Sequence, residues 1–225
     1  MSTDIFFKLR QHMIVEVMAE TIYVCAQIGK AALDRRVVEV LGKVPRHQFV
    51  PVELQPYAYL NRPLPIGFDK TISQPFIVAL MTDLLALSPQ DVALEIGTGL
   101  GYQAAVLAEL AKKVYSVEII DDLSELAEQR LSRAGYHNIT LKVGNGYKGW
   151  PECAPFDKII VTAAADFIPP HLILQLKPGG KMVLPTGLPD KQHLILVEKE
   201  SDSKITTRKI LPVRFSQLEE AESSL

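Results

Sequence analysis

The sequence has few of the features that mark several large classes of protein. It holds only 2 cysteines in 225 residues, Cys25 and Cys153, and neither lies in a Cys-x-x-Cys pair. Histidines are dispersed, without the spacing of metal ligands. A disulfide framework and a metal site are therefore not expected. No apolar run approaches the roughly 20 residues of a membrane-spanning helix, so no membrane partner is expected.

Charge of one sign is also absent. Lysine and arginine form no cluster, and the formal net charge is -2, so nothing favours a nucleic-acid backbone as partner. The residues from Met1 to Asp4 lack a basic region followed by an apolar stretch, which predicts an unsecreted, cytoplasmic protein. A hydrophobic share of 48% and a charged share of 22% predict one compact domain over residues 1–225, and we expect a monomer.

The first third of the chain predicts helices followed by an ordered loop layer. Apolar residues recur at helical spacing across residues 16–44. Residues 45–67 are rich in proline and aromatic residues, which disfavour long helices. A further helix is predicted over residues 76–87, with Pro75 in its first turn, so Ser73 should lie near a helix start. Residues 1–75 are thus a predicted N-terminal layer of helices and loops that contacts substrate.

The middle of the chain alternates short apolar runs with amphipathic segments. Strands are predicted at residues 92–96, 114–119, 139–143, 158–162 and 181–184, and helices at 102–111, 123–134 and 172–176. This order predicts an α/β fold with a doubly wound, mostly parallel sheet, whose cofactor-binding core is residues 76–187. The runs 193–199 and 204–215 are separated by a short polar segment, which predicts an antiparallel edge hairpin within residues 188–225.

A glycine-rich loop follows the first of these core strands. It reads Glu95-Ile-Gly97-Thr98-Gly99-Leu100-Gly101, and the third glycine comes one residue too early for the dinucleotide pattern Gly-x-Gly-x-x-Gly. Glu95 would repel a pyrophosphate but suits a cationic cofactor without phosphate. The loop therefore predicts S-adenosylmethionine, bound near Gly97, Thr98, Gly99 and Gly101. A tight turn without a ligand and a nicotinamide-dependent dehydrogenase are the alternatives.

Two further strand ends carry candidate cofactor contacts. Glu118, followed by Ile119, ends the next strand, where a carboxylate can accept hydrogen bonds from ribose hydroxyls; a solvated strand-end charge is the alternative. Asn145 and Gly146 end the third core strand, where an amide can both donate to and accept from an adenine edge. A plain Asn-Gly turn is the alternative there.

Several segments together resemble the protein-L-isoaspartate O-methyltransferase family. They are the glycine loop, Leu64-Pro-Ile-Gly67, Thr71-Ile-Ser-Gln-Pro75, Val161-Thr-Ala-Ala164, Lys177-Pro-Gly-Gly180 and Pro212-Val-Arg-Phe215. The resemblance implies a Rossmann-like methyltransferase fold. It also implies methyl transfer from S-adenosyl-L-methionine to the free carboxyl of L-isoaspartyl and D-aspartyl residues in damaged proteins. The product would be S-adenosyl-L-homocysteine, and repair would proceed through a succinimide.

The resemblance also assigns roles to residues. Ser73 is the implied active-site serine and Ile72 flanks the cofactor, while Glu118 and the pair Asn145 and Gly146 take the ribose and adenine. Some positions depart from the family pattern. These are Asn61 and Asn145, where aspartate is usual, Leu100, Ala104, and Gly67-Phe-Asp-Lys70 in place of Gly-x-Gly-Gln. A methyltransferase for another substrate and a non-catalytic cofactor-binding module are the alternatives.

The reaction requires little acid–base catalysis from the protein. A substrate carboxylate, with a reference pKa near 4, is ionised at neutral pH and needs no general base. The predicted task of the protein is to align carboxylate, methyl carbon and sulfur. Ser73 would orient the carboxylate through a hydrogen bond; the alternative role for Ser73 is to cap the following helix.

Overall fold

A computed structural model describes residues 5–220 of the chain. Residues 1–4, used above for the secretion prediction, and residues 221–225 of the predicted C-terminal segment lie outside this range. The N-terminal layer begins with three helices, α1 (Phe7–Tyr23), α2 (Cys25–Ile28) and α3 (Arg35–Lys43). The Asp34 side chain caps α3 by accepting the Arg36 N–H, a common way to satisfy a free helix amide. The helical prediction for this layer is confirmed, although α1 starts earlier than predicted.

The predicted loop layer contains regular structure that the sequence did not reveal. It holds two 3-10 turns, Arg46–Phe49 and Val52–Tyr57, and a hairpin of β1 (Leu64–Gly67) and β2 (Lys70–Ile72). The hairpin turn places Phe68 and Asp69 at φ of 53° and 54°. Turns with two positive φ angles usually contain glycine or asparagine. Phe-Asp lacks that signal. The prediction of a loop was therefore wrong for residues 64–67, which form β1.

The core alternates strands and helices as predicted. Its elements are α4 (Pro75–Leu85), β3 (Val92–Ile96), α5 (Tyr102–Ala108), β4 (Lys113–Glu118), α6 (Asp121–Arg133), β5 (Ile139–Val143), β6 (Phe156–Val161), α7 (Pro170–Gln175), β7 (Leu176–Thr186), β8 (His193–Ser201) and β9 (Lys204–Pro212). The strand order is β5-β4-β3-β6-β7-β8-β9. Pairs from β5 to β7 are parallel, whereas β8 and β9 add antiparallel neighbours. The doubly wound sheet with an antiparallel edge is confirmed.

The predicted boundary before the strand at residues 181–184 is corrected in β7. Residues 177–180 lie between that strand and the predicted helix at 172–176, but β7 begins at Leu176 and includes them. Leu176 pairs with Phe156 and Lys181 with Lys158, so the intervening residues bulge out of the ladder. Gly179, with φ of 80°, permits this bulge because glycine has no Cβ to clash.

Two positions that depart from the family pattern are core positions. Leu100 is 4% exposed and Ala104 is fully buried. Apolar side chains therefore gain from burial at both sites. Within the described residues, no helix is long and apolar enough to cross a membrane.

Candidate active site

A cavity of about 690 Å³ lies at the carboxyl ends of β3, β4 and β6. This volume suits a small-molecule ligand. Three parts of the chain wall it: the core strand ends, the N-terminal layer, and the end of β9 with the segment of residues 213–219 that follows it. Ligands of open α/β sheets bind at this edge, where the strand order reverses; here β4 and β6 flank β3 on opposite sides.

The glycine loop leaves β3 and forms one wall of the cavity. Gly97, Gly99 and Gly101 have φ of 94°, 56° and 94°, which side chains rarely adopt. A Cβ on Gly97 would lie 2.4 Å from the Thr162 Oγ1. The close approach of loop and β6 end thus requires glycine. Thr162 holds the same contact by donating to the Gly97 carbonyl at 2.7 Å.

Glu118 lies on the cavity wall at the end of β4 and is 6% exposed. Its Oε2 accepts the Gly99 N–H at 2.8 Å, and its Oε1 accepts the N–H groups of Ile119 and Ile120 at 2.9 and 3.1 Å. A carboxylate has about four acceptor positions, so one is left for a ribose hydroxyl. Glu118 therefore also fixes the shape of the glycine loop.

Glu95 lies beneath the loop and not on the cavity wall. It is fully buried, and its Oε2 accepts the Ser116 hydroxyl at 2.5 Å. Ser116 in turn lies 2.6 Å from the Thr98 Oγ1. Burial raises the pKa of Glu95 to about 8, so the side chain is mostly neutral at pH 7. This geometry does not support the predicted direct attraction between a Glu95 carboxylate and a cationic cofactor. The assignment of Glu95 to the cofactor site stays a prediction.

The other predicted cofactor residues divide between the cavity wall and the layer behind it. The wall includes Ser73, Gly97, Gly99, Glu118, Ile119 and Gly146, whereas Ile72, Glu95, Thr98, Gly101 and Asn145 lie outside the lining. The Asn145 Oδ1 accepts the Tyr147 N–H at 2.9 Å and so caps a 3-10 turn. A Cβ on Gly146 would lie 2.4 Å from the Ile96 Cγ2. The Asn-Gly turn is therefore real, and the adenine contact stays a prediction.

Ser73 lies between β2 and α4 on the cavity wall and is half-buried. The N-cap of α4 is Gln74, so the geometry does not support the alternative of a helix-capping serine. Among residues 5–220, none hydrogen-bonds to the Ser73 hydroxyl, whereas its backbone carbonyl accepts the Arg46 Nη2–H at 2.7 Å. The hydroxyl is thus available to a ligand in the cavity.

Glu20 of α1 is a cavity residue that the sequence did not reveal. Its Oε2 accepts the side-chain amides of Asn61 at 2.7 Å and Gln74 at 2.9 Å, and the Asn61 Oδ1 accepts the Phe76 N–H at 3.0 Å. Asn61 therefore pairs a backbone N–H in the first turn of α4 while it donates to Glu20. An ionised aspartate at position 61 could not donate this hydrogen bond. The asparagine that departs from the family pattern is therefore matched to Glu20 in this chain. No local motif could signal a contact across 41 residues.

The segment after β9 closes another side of the cavity. The Ala164 N–H donates to the Ser216 carbonyl at 2.8 Å, and the Leu218 N–H donates to the Ala164 carbonyl at 2.7 Å. Glu219 forms an ion pair with Lys70 of β2. This pair accounts for a second departure, since Lys70 replaces the glutamine of the family pattern. Residues 213–215 were predicted as the end of the second hairpin strand, but β9 ends at Pro212. Residues 213–219 were not predicted to form a cavity wall.

The cavity fits an adenosine-containing cofactor without phosphate. Gly97, Gly99 and Gly146 line it without side chains, apolar side chains of Ile96 and Val117 line the same end, and the charged group at that end is the Glu118 carboxylate. Within the described part of the chain, no group of three or more potential metal ligands is found. The fold and this site define a doubly wound, S-adenosylmethionine-dependent methyltransferase.

Comparisons with known proteins identify the family. The family model for protein-L-isoaspartate(D-aspartate) O-methyltransferase matches residues 19–223, and the chain belongs to that family. It is 65% identical to protein-L-isoaspartate O-methyltransferase 1 of a Polaromonas species, over 96% of this chain and 92% of the relative. It is 53% identical to protein-L-isoaspartate O-methyltransferase 2 of Syntrophobacter fumaroxidans, over 96% and 87%.

Solved structures agree with this placement. One protein-L-isoaspartate O-methyltransferase has a TM-score of 0.78 and 28% identity, and the match covers 92% of this chain but 65% of that one. A Plasmodium falciparum protein of the same description, solved with S-adenosyl-L-homocysteine, has a TM-score of 0.76 and 23% identity, over 92% and 98% of the two chains. This last likeness shows the shared fold.

Proposed function

We propose that this protein transfers a methyl group from S-adenosyl-L-methionine to the free carboxyl of L-isoaspartyl and D-aspartyl residues in damaged proteins. The observation that carries this proposal is that the glycine loop, Glu118 and Ser73 line one and the same cavity. A cofactor at the strand ends and an acceptor at Ser73 would thus share one space. Family membership supports the choice of acceptor.

S-adenosyl-L-methionine, when bound, supplies a methyl group activated by the positive charge of its sulfur. Gly97, Gly99 and Gly146 line the cofactor end of the cavity without side chains, and Glu118 accepts a hydrogen bond from the ribose. At the other end, the Ser73 hydroxyl donates one directional hydrogen bond to the substrate carboxylate and orients it for in-line attack. No residue has to remove a proton, because the carboxylate is ionised at neutral pH.

Exclusion of water is the second contribution of the chain. The segment of residues 213–219 and the N-terminal layer cover two sides of the cavity. A partly desolvated carboxylate attacks more readily than a hydrated one. The elements outside the Rossmann-like core thus create both the acceptor site and its shielding. They support the predicted division into residues 1–75, 76–187 and 188–225.

The partners and location follow from the same proposal. Age-damaged proteins and peptides are the substrates, in the cytoplasm, with the enzyme acting as a monomer without nucleic-acid or membrane partners. Light scattering coupled to size-exclusion chromatography tests the monomer: a mass near 25.0 kDa is expected, and about twice that mass would contradict it.

The activity is tested by methyl transfer from labelled S-adenosyl-L-methionine to a synthetic isoaspartyl peptide, with the normal aspartyl peptide of the same sequence as control. We expect label in the isoaspartyl peptide and none in the aspartyl peptide. Mild alkali should release the label as methanol, because the product is a carboxyl methyl ester. Cofactor binding with no labelling of either peptide would reject the proposed acceptor.

A further inference from the structure

Arg46 is a fully buried cation beside the candidate active site. Its Nε–H donates to the Ala58 carbonyl at 2.8 Å, and its Nη2–H donates to the Ser73 carbonyl at 2.7 Å. Its guanidinium carbon lies 4.8 Å from the centre of the Tyr102 ring. Tyr102 is the first residue of α5, directly after the glycine loop. One side chain thus touches the Ser73 segment and the helix that follows the glycine loop.

This burial is energetically costly. Among residues 5–220, no carboxylate forms an ion pair with Arg46, and its Nη1 is buried without a hydrogen-bond partner. Burial lowers the pKa of Arg46 to about 10, so the side chain is still charged at neutral pH. A buried cation without a counter-charge generally destabilises a fold relative to an apolar side chain of similar size. Stability alone therefore does not account for an arginine here.

The geometry of the two hydrogen bonds offers another account. The guanidinium is rigid and planar, and its donors can reach two carbonyls in fixed directions. Ser73 follows β2 and precedes the N-cap of α4, so its backbone is part of neither element. Fixing the Ser73 carbonyl fixes the backbone from which the Ser73 hydroxyl extends. The contact with Tyr102 fixes the position of Ser73 relative to the glycine loop.

We propose that Arg46 is a positioning residue, which holds Ser73 at the correct place relative to the bound cofactor. This inference rests on the proposed function, because it assigns Arg46 a role only if Ser73 orients the acceptor. Arg46 touches neither substrate nor cofactor and acts through Ser73. Loss of Arg46 lowers kcat for the isoaspartyl peptide while the fold and the cofactor end stay intact.

The test is a double-mutant cycle between Arg46 and Ser73. Arg46→Met removes the charge and both donors but keeps an unbranched side chain, and Arg46→Lys keeps the charge with a single ammonium group. Each is made in the wild-type and Ser73→Ala backgrounds. Lys199→Met is the matched control, because Lys199 is 6% exposed and also donates to two backbone carbonyls, those of Ile173 and Leu176, away from the cavity.

Three quantities are measured: kcat for the isoaspartyl peptide, S-adenosyl-L-homocysteine affinity by calorimetry, and the urea midpoint of unfolding. We expect Arg46→Met to lower kcat about 10-fold but less than about 2-fold further in the Ser73→Ala background. Arg46→Lys should recover part of the loss. Affinity for S-adenosyl-L-homocysteine should change less than about 3-fold in both variants. Lys199→Met should leave kcat within about 2-fold of wild type.

Additive losses in the two backgrounds would show that Arg46 does not act through Ser73 and would overturn the inference. So would failure of both Arg46 variants to fold, since that outcome makes the residue structural. Failure of the proposed function is a separate result: it would appear as absence of isoaspartyl methylation by the wild-type protein, before any variant is compared.

Discussion

The two ends of the cavity are built in different ways. At the cofactor end, Gly97, Gly99 and Glu118 belong to neighbouring strand ends of one sheet, and a side chain from the adjacent strand end bonds to the loop backbone at each glycine. At the acceptor end, Asn61 and Gln74, the residue next to Ser73, donate side-chain hydrogen bonds to Glu20 from separate parts of the chain. The first arrangement depends on glycine and sheet geometry. The second depends on pairs of polar side chains, so substitutions can alter one pair without disturbing the others.

The largest expected effect is at the acceptor end. Ser73→Ala removes the hydroxyl that orients the substrate carboxylate, and a hydrogen bond to a charged group contributes about 1.5–3 kcal/mol. We therefore expect kcat to fall about 100-fold, with unchanged S-adenosyl-L-homocysteine affinity. Ser203→Ala, on the exposed turn between β8 and β9, is the control. Turnover by Ser73→Ala at the wild-type rate would remove Ser73 from the mechanism.

The cofactor end is broken by Gly97→Ala. The new Cβ meets the Thr162 Oγ1 at 2.4 Å, and φ is 94°, so the loop must shift at a cost of about 1–3 kcal/mol. We expect S-adenosyl-L-homocysteine affinity to fall at least about 10-fold in calorimetry. Gly42→Ala, in helix α3 with open space around it, should instead stabilise the protein by about 0.4–1 kcal/mol. Equal affinities in Gly97→Ala and wild type would contradict the close-packed loop.

A smaller effect is expected from the polar pair that holds α4 near Ser73. Asn61→Asp places a second carboxylate against Glu20 and removes a donor, so the KM for the isoaspartyl peptide should rise about 5-fold. Cofactor affinity should not change. Adding Glu20→Gln supplies a donor to Asp at position 61 and should recover most of the loss. No recovery in the double variant would show that the pair does not act as a unit.

The smallest effect is expected at the ion pair between Lys70 and Glu219. Their side chains are 21% and 52% exposed, and exposed ion pairs contribute about 0–1 kcal/mol. Glu219→Gln should raise the KM for the isoaspartyl peptide less than about 3-fold, and only at low salt, because ions screen such pairs. Glu220→Gln is the neighbouring control. A loss that persists in 1 M salt would indicate a role beyond charge.

The sequence predicted the two ends of the cavity unequally. The strand at residues 92–96 matched β3 at both ends because a short apolar run followed directly by a glycine loop defines it locally. Residues of the cofactor end were recognisable for the same reason. The direction in which a buried side chain points was not recognisable from the sequence. Glu95 was therefore predicted to face the cofactor, whereas its side chain contacts Ser116. Its burial and raised pKa depend on the neighbouring strand.

The amino-acid sequence by itself determined the alternation of strands and helices, the position of the glycine loop and the family, because each is encoded in residues close together in the chain. Only the tertiary structure decided which residues meet at the acceptor end. Arg46 reaches Ser73, Glu20 reaches Asn61, and Lys70 reaches Glu219 across 27, 41 and 149 positions. Such contacts depend on how the N-terminal layer and the segment after β9 fold onto the sheet, and no local pattern of polarity specifies them.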